Sequence, residues 1–231
     1  PVREQLRAIG ANRSLLLVLA SSVLGFGRNV IQVGGAVIAA AVFGDEGMFS
    51  LLGGAIVVGT VLGAVLSPVL LARMSRRTLM IWSTWVSAAV YLALFLAGYG
   101  NLPVVLGLLA VSGVLIGIYA VTQTRMIGDS ADDGERLTGL RSDGASFAGL
   151  TFVSKAAGAI ATAVFGAFLV AAAYTKGAEV TDSMRDLLWM SITLVPAASC
   201  VLGLIPLHWY RVPEREMPDL LEAARSHAPG L

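Results

Sequence analysis

Two cations interrupt long stretches that otherwise carry no charge: Arg28 within 15–43 and Lys155 within 150–174. A charge sunk in hydrocarbon is costly unless it meets a partner or lines a water-filled cavity. Taken in steps of three and four residues, Arg28 shares a helix stripe with Ser21, Gly25, Gln32 and Gly35, while the other stripes are Val and Leu. Lys155 shares its stripe with Thr151, Gly158, Thr162 and Gly166. A third stretch, 102–124, offers Ser112, Tyr119 and Gln123 at compatible spacing. Such stripes read as the walls of a polar cavity, with Arg28, Gln32, Tyr119, Thr151 and Lys155 as its candidate residues. The competing readings are an arginine locked to a neighbouring carbonyl, a lysine that snorkels to the headgroups, and plain interhelical hydrogen bonding.

None of the long apolar stretches contains Asp or Glu. A proton or sodium site normally uses a buried carboxylate. The partners of these cations, and most of any site for a coupling cation (Na+ or H+), are therefore expected on another polypeptide segment. Cys200 is the sole cysteine, and His208 and His227 have no ligand cluster around them, so no metal site is expected. Asp129, Asp133 and Gly134 sit at calcium-loop positions, but Ala131 and Leu140 break the pattern. With no paired nucleophile and base, no metal set and no phosphate loop, an enzyme is not expected.

The elements that must position these residues follow from composition. The 231 residues are 56% apolar and 13% charged, against roughly 45–50% and about 25% in soluble domains. Mean hydropathy is +0.79. About 20 apolar residues in helix cross a bilayer, and six stretches are long enough: 15–43, 48–71, 78–97, 102–124, 150–174 and 187–210. The turn residues Gly98, Gly100, Asn101 and Pro103 separate the third from the fourth. The expected fold is an all-α, polytopic bundle of six transmembrane helices, with a segment at 1–14, a loop at 128–147 and a tail at 211–231. Twelve arginines (3, 7, 13, 73, 76, 77, 125, 136, 141, 211, 215 and 225) gather on one side and only Lys176 and Arg185 on the other. Both termini are then expected to be cytoplasmic. Trp189 and Trp209 read as interfacial anchors, and the pairs Gly59/Gly63 and Gly113/Gly117 as close helix contacts. A net charge of +1 offers no field for nucleic acid. The excess of arginine over lysine and the abundance of Ala and Gly point to a bacterial gene of high GC content.

The connection GDSADDGERLTGLRSDG at 128–144, followed by TFVSK at 151–155, resembles the melibiose-carrier family, the glycoside, pentoside and hexuronide cation symporters of the major facilitator superfamily. Asp129, Asp132, Glu135, Thr138, Gly139, Arg141 and Asp143 stand where that family has its segment between helices ten and eleven. Lys155 matches a lysine that couples cation and sugar, and Thr151 a position lining the sugar cavity. Asp133 replaces an expected aromatic residue and Arg136 an expected Trp. PVLLARMSRR at 68–77 is similar to the superfamily's basic loop between helices eight and nine, with Ala72 where an acid often stands. The stretch holding Arg28 and Asn29 is similar to the family's helix seven.

The resemblance implies the second half of a transporter, helices seven to twelve, with the cation-binding carboxylates on the first half. The implied activity is cation-coupled symport of a sugar or glycoside by alternating access in the plasma (inner) membrane of a bacterium. Its partners would be membrane lipid, the small-molecule solute, and an N-terminal six-helix half or a second copy. Lys155 would latch onto a carboxylate of the other half, and Asp129, Asp132, Glu135 and Arg141 would form a cytoplasmic gate. A homodimer of six-span halves, an uncoupled facilitator and a noncatalytic membrane scaffold are the alternatives.

Overall fold

The computed structural model describes residue 10 and residues 12–138, 143–177 and 179–211. Most of 1–14 and of 211–231, together with Arg141, lies outside the described residues. The described residues are helical, with no strand among them: α1 (Arg13–Leu24), a 3-10 turn (Phe26–Asn29), α2 (Val30–Val42), α3 (Met48–Leu71), α4 (Arg76–Ala97), α5 (Leu102–Thr138), α6 (Asp143–Ala171) and α7 (Asp182–His208). This is the arrangement lipid demands, because a helix satisfies its own backbone groups where water cannot. Five helices are long and apolar enough to cross a membrane, and a sixth span results if α1, the turn and α2 are taken together.

The helix starts are written in the sequence. Asn12 accepts the Leu15 amide at 2.9 Å, Ser75 accepts that of Thr78 at 3.2 Å and Thr181 that of Met184 at 3.3 Å, each satisfying a donor that a first turn leaves free. Gly98, at φ 67°, ends α4 in a conformation that L side chains rarely adopt.

Two features of the helix course depart from the sequence expectation. The first span is bent by 48° at its middle. Gly25 and Gly27 weaken the helix there, and Gly27 lies so close to α7 that a Cβ would strike Ser199 and the backbone of Pro196. The Gly27 amide donates to Ser199 Oγ at 3.1 Å, and that hydroxyl donates to the Pro196 carbonyl at 2.9 Å. A glycine with a serine and a proline from another helix thus replaces part of the ladder that the 3-10 turn gives up. The second departure is at 128–138, expected to be loop, which continues α5 as helix to Thr138. Asp129 there pairs with Arg76 at the start of α4, giving the polar extension an anchor within the chain.

The tightest contact joins α3 to α5, and the two glycine pairs make it. A Cβ on Gly59 would meet the Ala110 carbonyl and one on Gly63 that of Val114, while Gly113 and Gly117 stand against the carbonyls of Ile56 and Thr60. Backbone rests on backbone, as small-residue motifs allow in lipid. Trp189, expected at the membrane interface, is instead 3% exposed and meets Phe43 and Tyr99 edge-on at 6.3 and 5.9 Å. Trp209 is 52% exposed.

Replacing Gly113 by Leu is expected to force α3 and α5 apart at a cost of roughly 3 kcal/mol. Gly53→Leu, at a position whose Cβ meets nothing within 4 Å, is expected to leave stability unchanged or raised. Unfolding midpoints of the two variants in mixed micelles check this. Equal midpoints would show that the glycine contact does not hold the bundle.

Candidate functional site

The break in the first span sets the site. Arg28 lies on the 3-10 turn, 7% exposed, where α1 and α2 leave their common axis. Its guanidinium carbon sits 4.0 Å from the centre of the Tyr119 ring on α5, and one terminal nitrogen donates to Thr84 Oγ1 on α4 at 3.2 Å. Its Nε is buried without a hydrogen-bond partner, and so is the Tyr119 hydroxyl.

Around this cation is a cavity of about 140 Å³ whose walls include Ser22, Gln32, Gln123 and Ser154. Gln123 Nε2 donates to Ser22 Oγ across it. A desolvated cation–π contact is worth about 2 kcal/mol and a hydrogen bond from a charged donor about 1.5–3 kcal/mol. The penalty for an unpaired buried charge is several kcal/mol. The two contacts come close to that penalty but leave Nε unpaired, so an anion that reached Nε would gain a further charge-assisted bond, and the membrane-spanning stretches of this chain supply no carboxylate.

The structure brings three of the five cavity candidates together and sets two apart. Arg28, Gln32 and Tyr119 share the cavity. Thr151 and Lys155 are exposed; Thr151 donates to the Phe147 carbonyl at 3.1 Å, and no described side chain binds the Lys155 ammonium. The reason is rotational. α6 turns Ser154 and Ala157 into the cavity wall, and Lys155 follows Ser154 by about 100° around the helix. Its stripe flanks the cavity on a face left largely open by the described residues, with Thr151, Lys155 and Thr162 exposed and Gly158 and Gly166 half-buried.

The arginine stripe is also divided by the bend. Ser21 donates to the Gly203 carbonyl of α7 at 2.7 Å, and Gly35 lines a neighbouring apolar chamber. Ser112 donates to its own helix at 2.8 Å and is not a wall residue. Thr84 escapes the sequence reading, although Thr84, Ser87 and Tyr91 fall at helical spacing within 78–97 and mark a polar stripe there.

Of the gate candidates, Asp129, Asp132 and Glu135 are half-buried, and Asp129 is held by Arg76. Arg77 donates to the carbonyls of Leu207 and His208 at 3.3 and 2.7 Å. The basic loop and the α5 extension are thus tied first to their own bundle. No group of three or more metal-ligating side chains occurs among the described residues.

A family model described as MFS/sugar transport protein matches residues 1–214. A glucuronide carrier protein homolog of Escherichia coli (strain K12) is 26% identical over 183 residues, which make up 78% of this chain and 40% of that protein. The match thus covers less than half the length of that relative.

The contrasting environments of two side chains predict contrasting reactivity. In detergent, native Cys200, fully buried, is expected to resist a water-soluble maleimide until the chain is unfolded. Lys155→Cys in a Cys200→Ala background is expected to label at once. A protected thiol at position 155 would mean that α6 is rotated from its described orientation.

Proposed function

The chain belongs to the family of MFS/sugar transport proteins, and on that premise we propose that it forms one half of a secondary transporter that carries a sugar or glycoside together with Na+ or H+. The bundle rocks against a second six-helix half, opening a midplane site to each side of the membrane in turn. The membrane is the bacterial plasma membrane, and both ends of the bundle face the cytoplasm. The observation that carries this reading is Arg28: a buried guanidinium, stacked on Tyr119, with an unpartnered Nε.

Two cations then have two tasks. Arg28 receives an acidic group of the solute, the carboxylate of a uronic-acid glycoside, in keeping with the glucuronide in the relative's name. A charge-assisted bond to Nε completes the guanidinium only when the solute is present. Gln32 and Gln123 bond sugar hydroxyls. Lys155, on the open face of α6, pairs with a carboxylate of the other half and gives it up when the coupling cation enters, which links the two binding events. The ties of Arg76 and Arg77 keep the cytoplasmic ends of α4, α5 and α7 moving as one body.

In the assembled carrier, Arg28→Gln is expected to raise KM for a glucuronide at least tenfold while changing KM for the corresponding neutral glucoside little. A bond to a charged group contributes about 1.5–3 kcal/mol. Lys155→Ala is expected to abolish cation-driven accumulation while solute exchange persists. Radiolabelled uptake in vesicles, with and without an imposed cation gradient, measures both. Equal losses for acidic and neutral sugars would remove the role given to Arg28, and intact accumulation would remove the latch.

A further inference from the structure

The groups left over around Arg28 are donors. A guanidinium offers five N–H bonds and accepts none. Thr84 takes one from Nη2 at 3.2 Å, Nη1 packs over Gly25, where a Cβ would meet it at 2.6 Å, and Tyr119 covers one face. The head group is thereby held in one orientation, with its Nε–H unmatched and the buried Tyr119 hydroxyl unmatched beside it. α2 begins directly after Asn29, another wall residue, and no side chain caps it. The partial positive charge of its first turn adds to the field at the same place.

We infer that the Arg28 cavity is a halide site: chloride accepts from Nε–H and from the Tyr119 hydroxyl, and an acidic solute takes its place, carboxylate for chloride. None of the described residues lining the cavity is acidic. A water molecule can accept from Nε–H but leaves the whole positive charge uncompensated in a low-dielectric setting. A doubly charged anion exchanges one unit of excess charge for another. A single negative charge cancels Arg28, and a space of about 140 Å³ takes a small ion with a few waters, at about 30 Å³ for each water. Neutralisation then follows chloride concentration, because binding to the folded chain stabilises it by mass action; without chloride the cation is left to its own helices. The ion site stands on the donors themselves. The exchange rests on the sugar-transport reading and deepens it: chloride competes with an acidic sugar, whereas a neutral sugar brings no charge with which to replace the ion.

The test has two arms. The first follows the chlorine NMR linewidth with the full chain in mixed micelles, since bound chloride broadens the signal of the free ion with which it exchanges. The native chain is expected to give saturable broadening. Tyr119→Phe, which keeps the ring and loses the hydroxyl, should bind chloride about fivefold more weakly, and Arg28→Gln at least about tenfold more weakly. Lys176→Gln, which removes an exposed cation, should bind as the native chain does. Protection of Cys200 from maleimide shows that a variant is folded, and where Arg28→Gln loses that protection, Tyr119→Phe decides. Broadening absent from the native chain, or unchanged in the folded variants, overturns the halide site and leaves the transport reading standing. The second arm measures uptake by the assembled carrier in chloride and in sulfate at equal ionic strength. KM for labelled glucuronide is expected to be severalfold higher in chloride, and KM for the corresponding glucoside equal in the two salts. Equal KM for glucuronide in both salts overturns the exchange. If neither sugar is taken up, the transport reading falls and the exchange with it, and the first arm alone judges the ion site.

Discussion

A guanidinium held in a lipid-embedded bundle without a carboxylate is the constraint on which the rest of the structure depends. Tyr119 and Thr84 ease the desolvation of Arg28 but leave its Nε without a partner and its charge without a counter-ion. A residue so placed makes the bundle less stable than an apolar substitute would. The deficit is also a store of binding energy, since whichever anion reaches Nε recovers it. In the proposed role, binding and instability share one origin, a familiar trade at binding sites.

The rest of the fold serves that placement. A straight helix at 15–43 would carry Arg28 on one continuous stripe with Ser21 and Gly35. The bend at Gly25–Gly27 divides that stripe, sending Ser21 into the α7 contact and Gly35 into the apolar chamber. The bend persists because Ser199 and Pro196 satisfy and crowd the Gly27 backbone. On the opposite flank, the glycine contact between α3 and α5 brings Ile56 and Thr60 of α3 close to the α5 helix that presents Tyr119 and Ile116. One glycine contact is made against Ser199 and the backbone of Pro196, the other against backbone carbonyls.

Much of this is legible in the sequence, where it depends on local pattern. The helical class follows from uncharged stretches of sufficient length, the α3–α5 contact from the spacing of Gly59, Gly63, Gly113 and Gly117, and the grouping of Arg28, Gln32 and Tyr119 from polar residues at helical intervals. What fails depends on distant partners. The break at residues 25–29 needs Ser199, 172 positions along the chain. The facing of Lys155 and Thr151 needs the rotation of α6 against its neighbours, which a stripe of threonine and glycine does not fix. Trp189 reads as an anchor by its place near a span end, yet Phe43 and Tyr99 enclose it. The helical extension to Thr138 reads as loop because its residues are polar, and the Arg76–Asp129 pair that anchors it links positions 53 apart.

Equilibrium unfolding of Arg28→Met in mixed micelles tests the central claim most directly. Methionine is a flexible apolar side chain that adapts to irregular gaps, and it carries no charge to desolvate. If Arg28 is an unneutralised cation, the variant is more stable than the native chain by about 1–4 kcal/mol, as when buried ionic groups give way to packed apolar ones. A variant less stable than the native chain would show that Arg28 is already satisfied within these helices, and would contradict the account.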